Sequence, residues 1–231
     1  MRGATESPVA GGAVRERNGA QRAYERLREE IVSGRLQPNE RLVEADLVQL
    51  LDAGRSAVRT ALVRLEQEGL VEREPNRGAK VRLVDEREAA EILESRMVLE
   101  GLAARQAAKN ADPAQVEELR EIIREMRSLL DAGDLLGASD LNARLHGRLL
   151  EIADNATVAR LVATLSSQLV RFQYRTILLP GRAEQSHLEH RAIVEAVADG
   201  DADAAEQAVR DHLAHVVEAL RDGRLATTRA V

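Results

Sequence analysis

Apolar residues recur at threes and fours along most of this chain, the spacing of one helix face, and the pattern shortens only between residues 70 and 84. Ala23, Leu27, Ile31 and Val32 predict a first amphipathic helix that ends at Gly34. The segment LQPNERL is a Pro-bearing turn, and residues 44–51 form a short second helix. Val58, Leu62 and Leu65 put a buried stripe on a third helix, with Arg55, Arg59 and Thr60 on the opposite side. Gly69 stops that helix, as a residue tolerant of positive φ does. Residues 70–74 then read as a strand, 75–78 as a turn with Arg77 and Gly78 at its tip, and 79–84 as the returning strand. Helix, turn, helix, turn, Arg-bearing helix and hairpin is the order of a winged helix-turn-helix, whose third helix fits the DNA major groove. The same residues also describe a plain helix–hairpin module with solvated arginines.

Beyond residue 84 no strand pattern remains. Helices are predicted over 86–110, from Asp112-Pro113 to a break at Gly133, and over 134–153, 155–179, 183–199 and 202–222. Val116, Leu119, Ile123, Met126 and Leu130 make the clearest packing stripe. The expected fold is therefore mainly α: an α+β winged helix-turn-helix over 20–84, then an all-α antiparallel bundle of about six helices over 85–222. Residues 1–19 and 223–231 read as a disordered tail and a flexible tail.

Composition sharpens this division. The net charge is −6, but the first 84 residues carry 15 Lys or Arg against 13 Asp or Glu, and the other 147 carry 18 against 26. A mildly basic front half and an acidic remainder suit one domain on DNA and one held off it. With so little excess charge, binding must depend on a few placed arginines and on dimerisation. There is no cysteine, which excludes disulfides and thiolate metal sites. No apolar run approaches a membrane span, and the first 19 residues lack a signal-peptide core, so a cytoplasmic protein without membrane contact is expected. Tyr24, Phe172 and Tyr174 are the only aromatic residues, so the core must be aliphatic.

Candidate chemistry lies in the bundle. All five histidines fall there, at 146, 187, 190, 212 and 215. His146, His190 and His212 sit on three different predicted helices, and Asn142 precedes His146 by one turn. Such imidazoles either converge on a transition metal or are scattered singletons. Arg96 either faces such a site, where a guanidinium clamps a carboxylate, or pairs with Glu94 or Glu100. Arg148, Arg171 and Arg175 are further candidates for the same task. A metallohydrolase tethered to DNA would need a placed general base, and there is no HExxH, no nucleophile elbow and no P-loop. An architectural DNA-binding protein with a purely structural bundle is the remaining alternative.

Residues 24–84 resemble the DNA-binding domain of GntR-type transcriptional regulators. The matching positions are Ile31, Ser33, Gly34, Leu36, Pro38 and Leu42, then Arg55, Val58, Arg59, Ala61, Leu62, Arg64, Leu65, Glu66, Glu68, Gly69, Leu70 and Val71, then Pro75, Arg77 and Gly78. Asn39 stands where the family has Gly, Gly54 where it has Ser, Ala57 where it has Pro and Thr60 where it has Glu. Residues 86–222 are similar to the FCD ligand-binding domain of FadR-type members, and six helices favour the VanR-like branch. The matches are Asn142-x-x-x-His146, Glu189-His190-Arg191-Ala192-Ile193 with Ala196, Gly200-Asp201 with Ala204-Ala205, and Arg210-x-His212-Leu213. Leu145 replaces the usual Phe.

The resemblance implies a homodimeric, metabolite-responsive regulator, a repressor on a pseudo-palindromic duplex operator. DNA contacts are expected from Arg35, Arg55, Ser56, Arg59, Thr60, Arg77 and Gly78. It implies one divalent transition metal, zinc or nickel, on His146, His190 and His212 with neutral Asn142 in the fourth place. It also implies a small carboxylate effector held by Arg96, with Arg148 and Arg175 in support.

Overall fold

The computed structural model describes residues 9–74, 78–169, 172 and 176–228. Two compact units divide between Leu83 and Val84.

The first unit opens with α1, Val9–Val32. The helix begins inside the stretch expected to be a tail, because residues 13–18, AVRERN, are mostly good helix formers. Strand β1, Arg41–Leu42, precedes α2, Glu44–Leu51, and α3, Arg55–Gln67. Strands β2, Val71–Glu74, and β3, Gly78–Val81, complete an antiparallel sheet in the order β1-β3-β2. Ala23, Leu27, Leu47, Val58, Leu62 and Leu65 meet in one aliphatic core. A polar clasp ties α1 to the end of α3: the Tyr24 hydroxyl donates to Glu68 at 2.6 Å, and the Arg64 guanidinium lies 3.7 Å from the Tyr24 ring centroid.

Helix α3 stops as expected. Gly69 takes φ 70°, and the Leu70 amide donates to the Leu65 carbonyl at 2.9 Å. Asn39 takes φ 66° where Gly is usual, an αL position that Asn tolerates. Its amide donates to the Val81 carbonyl, and the Val81 amide to the Glu40 carbonyl. These bonds deliver β1 to β3, a strand the sequence did not announce. The returning strand ends at Val81, three residues short of expectation.

Six helices with described bounds build most of the second unit. They are α4 (Glu86–Asn110), α5 (Pro113–Asp131), α6 (Leu135–Ile152), α7 (Ala156–Ser167), α8 (Arg182–Ala198) and α9 (Ala202–Thr228). Asp85, Asp112, Asp134 and Asn155 cap four of them by accepting a backbone N–H, and Asp112 forms a reciprocal capping box with Gln115. Helix α4 lies chiefly against α9, α5 packs on α6 and α8, and α8 packs on α9. Leu119, Ile122, Leu145, Ile193, Val209 and Leu213 are among the buried core residues.

Gly101 on α4 permits the close approach of α9. A methyl group there would stand 3.3 Å from Arg210 Nε and 3.4 Å from Glu206 Cγ. Helix α7 ends twelve residues before the predicted 179. Ser167 Oγ donates to the Thr164 carbonyl at 2.8 Å, and such side-chain bonds compete with continued helix. The last helix runs past residue 222 to Thr228. No described helix is long and apolar enough to cross a membrane.

Candidate functional site

Helix α3 presents Arg55, Ser56, Arg59 and Thr60 to solvent, opposite Val58, Leu62 and Leu65. Gly54 starts the helix without a side-chain cap bond. Arg59 Nε donates to Glu44 Oε2 of α2 at 2.9 Å, and Thr60 Oγ1 back-bonds to the Ser56 carbonyl at 3.0 Å. Arg35, on the turn after α1, is held by Glu30 at 2.7 Å and Glu29 at 3.2 Å. Gly78 opens β3 exposed, with φ 88°. Arg77 lies outside the described residues.

In the bundle, the three histidines from α6, α8 and α9 converge. His146, His190 and His212 are 8, 1 and 3 % exposed, and one ligand atom from each lies within 4.8 Å of the others. They line a cavity of about 300 Å³, whose wall also carries Asn142, Arg96 and Arg182. Much of the rest is apolar, with Leu93, Met126, Val162, Phe172 and Val216.

The ring orientations follow from two buried carboxylates. His146 Nδ1 lies 2.7 Å from Glu100 Oε2, and His212 Nδ1 lies 2.7 Å from Glu189 Oε2. An ionised carboxylate only accepts, so both Nδ1 atoms donate, which leaves Nε2 as the nitrogen through which either ring, when neutral, offers a lone pair. Burial would raise the Glu100 carboxyl, but Arg96 and His146 beside it hold it well below the usual carboxylate range. Burial, followed by the neighbouring imidazoles, holds His190 well below the ordinary histidine value. Burial, then His146 and Arg182, does the same for His212. Neutral imidazoles with free lone pairs are what a transition metal takes.

A further observation concerns oxygen. Asn142 Oδ1 is buried on this wall without a hydrogen-bond partner. Buried carbonyl oxygens are rarely left so, and a cation is one group that satisfies them. The donor set is thus three imidazole nitrogens and one amide oxygen, which fits a divalent transition metal.

The sequence was compared with known proteins. Residues 91–215 match the FCD domain, and residues 19–81 match the "Bacterial regulatory proteins, gntR family". This chain belongs to the GntR family. Its similarity to other regulators runs nearly end to end. It is 26 % identical over 204 residues to "HTH-type transcriptional repressor RspR" of Escherichia coli (strain K12), spanning 88 % of this chain and 90 % of that protein. It is 30 % identical over 188 residues to a "Probable D-xylose utilization operon transcriptional repressor" of Paenarthrobacter nicotinovorans, spanning 80 % and 81 %. The solved structure of "E. coli McbR/YncC" shares the fold, with a TM-score of 0.74 at 19 % identity over 88 % of this chain and 97 % of that one. As a GntR-family member with an FCD domain, the chain is a transcription regulator, which sets the hydrolase reading aside.

Within this GntR-family site, the expected residues divide into two groups. Asn142, His146, His190, His212 and Arg96 all line the one cavity. Arg148 does not: two positions beyond His146, it faces away and pairs with Glu118 and Glu151 at 2.8 Å, which corrects its assignment to the effector. Arg171 and Arg175 lie outside the described residues. His187 is buried apart from the cluster, and His215 reaches it only through Glu189 Oε1 at 2.8 Å. Arg96 Nε donates to Glu100 at 2.6 Å, the pairing weighed in the sequence, and the residue also lines the cavity.

Three residues escaped the sequence reading. Glu100 and Glu189 were seen only as an ion-pair candidate and a motif neighbour, and Arg182 was not singled out at all. Their partners lie 46 and 23 residues away in the chain for the two carboxylates, so local spacing carried no signal.

Proposed function

We propose that this regulator binds a pseudo-palindromic operator as a homodimer, acts as a repressor, and takes a divalent metal and a small carboxylate effector in the bundle cavity. Reading DNA through α3 follows from four exposed groups on one helix face and from the mildly basic first unit. Two-fold symmetry doubles a recognition site that one domain keeps to a few base pairs.

The observation that carries the effector reading is the convergence of three buried imidazoles beside the unpartnered Asn142 oxygen, on the wall of one largely apolar cavity. His146, His190 and His212 would hold the metal, zinc or nickel, with Asn142 as fourth ligand. When bound, the metal supplies an electrophilic centre for an oxygen donor. Glu100 and Glu189 fix the tautomers of two ligands and raise their basicity. The apolar wall keeps water out, and Arg96, already oriented by Glu100, meets the carboxylate.

The test measures operator binding by fluorescence anisotropy at fixed salt, with operator selected from a random duplex library. Metal-loaded protein is titrated with a panel of small carboxylates, and the calorimetric affinity of any that binds is compared with and without operator. A ligand that alters operator affinity must itself bind with the same factor of difference, typically ~1–3 kcal/mol. Carboxylates that bind free and DNA-bound protein equally would leave the bundle structural.

A further inference from the structure

Arg182 is the first residue of α8, following Gly181 at φ 76°. A cation is out of place there, because the first turn of a helix carries partial positive charge. It is also buried, at 9 % exposure, on the wall of the histidine cavity. Its Nη2 donates to Glu189 Oε2 at 2.9 Å, but its Nη1 has no hydrogen-bond partner and no solvent.

Glu189 has little left to give. Its Oε2 also accepts from His212 Nδ1, and its Oε1 accepts from His215 Nδ1 and from Gln185 Nε2 at 3.1 Å. A buried guanidinium N–H without an acceptor costs free energy unless something fills the place. The space it borders is the cavity, which Ala183 and Ser186 of the same helix also line. The N–H group, the helix terminus and the hydroxyl of Ser186 all favour an anion.

The balance of charge points the same way. Arg96 is matched by Glu100 and Arg182 by Glu189, so the polar wall of the cavity is neutral by formal charge. The four metal-facing groups, three imidazoles and the Asn142 amide, add none. A divalent ion would then leave two positive charges to be met by whatever enters.

We propose that the cavity selects a compact dicarboxylate, one carboxylate at the His146–Asn142–Arg96 end and the second received by Arg182. This rests on the carboxylate reading above and names Arg182 as the residue that distinguishes two acidic groups from one. Arg96 and Arg182 reach the same cavity from different helices, so one ligand can bridge them.

The test is calorimetry on the full-length, zinc-loaded protein with malonate, succinate, glutarate and adipate, each against the monoacid of equal chain length. At least one diacid should bind about tenfold or more tighter than its monoacid, as a charge-assisted guanidinium contact allows. In Arg182→Gln that gap should collapse while monoacid affinity stays within about threefold, and Arg182→Lys should fall between, lacking the planar fork. Melting curves of both variants verify folding, and the wild-type comparison needs no variant. Diacids and monoacids binding alike in the wild type would overturn the role of Arg182 and leave the carboxylate reading standing. A gap that survives in a folded Arg182→Gln protein would do the same. Failure of every acid to bind would remove both.

Discussion

The Nε2 atoms of His190 and His212 face each other at 3.3 Å. His212 donates through Nδ1 to Glu189, so its Nε2 carries a lone pair, and buried His190 is neutral as well. In the tautomer of His190 that carries its proton on Nε2, that proton lies between them. Two nitrogen ligands of one tetrahedral zinc would stand ~3.4 Å apart. A cation can replace that proton with little movement of either ring.

Chelator-stripped protein should accordingly gain thermal stability when zinc or nickel is added, and elemental analysis should give one ion per chain. Free ion at a hundredfold its dissociation constant would add about 2.7 kcal/mol to the bundle. His190→Ala should abolish the response, whereas His187→Ala should retain it. A wild-type melting curve indifferent to both ions would end the metal reading.

Asn142 gives a second, opposite-signed pair of outcomes. Asn142→Asp should hold metal more tightly in competition with a chelating dye, because a carboxylate is a stronger ligand than an amide. The same change should lower the melting temperature of the stripped protein, since it buries a charge without a partner. If metal affinity stays level, Asn142 is not a ligand.

Glu100 is the anchor of Arg96 and His146 together. Glu100→Gln leaves a partly buried guanidinium without its buried counter-charge and should destabilise the bundle by about 3 kcal/mol, read from urea denaturation. It should also weaken metal binding ~10-fold or more by loosening His146. An unchanged denaturation midpoint would mean that the pair contributes nothing.

On α3, Arg59 is shared between Glu44 and solvent. Arg59→Ala should weaken operator binding by ~1–3 kcal/mol and relax preference at one base of each half-site. Glu44→Gln should strengthen binding, since it releases the guanidinium and removes a carboxylate from the DNA-facing side. Anisotropy at fixed ionic strength measures both, and weaker binding by Glu44→Gln would show that the ion pair positions Arg59 for its base.

The legible parts of this chain were those written in local spacing. Val58, Leu62, Leu65 and Gly69 define α3 and its end within one window, and Asp112-Pro113 marks the start of α5 by capping chemistry alone. Asn142 and His146 share a face because they are four apart. The two-residue strand β1 is too short to show alternation, and its pairing with β3 is made by Asn39 and Val81, far apart in sequence. The end of α7 was missed because Ser167 reads as a neutral helix residue until its hydroxyl is seen bonding Thr164. Arg182 was hidden in a different way: it belongs to no motif, and only the packing of α8 buries its first residue.

Glu100 and Gly101 are neighbours on α4, and each governs a different ligand. The carboxylate orients His146 directly. The glycine works by having nothing to offer: it lets α9 come close at Arg210, two residues before His212. A missing side chain thus leaves room for the α9 turn that leads to one of the three imidazoles. Enlarging Gly101 would press on Arg210 and Glu206 of α9 from behind the histidine cluster without touching any of the three imidazoles.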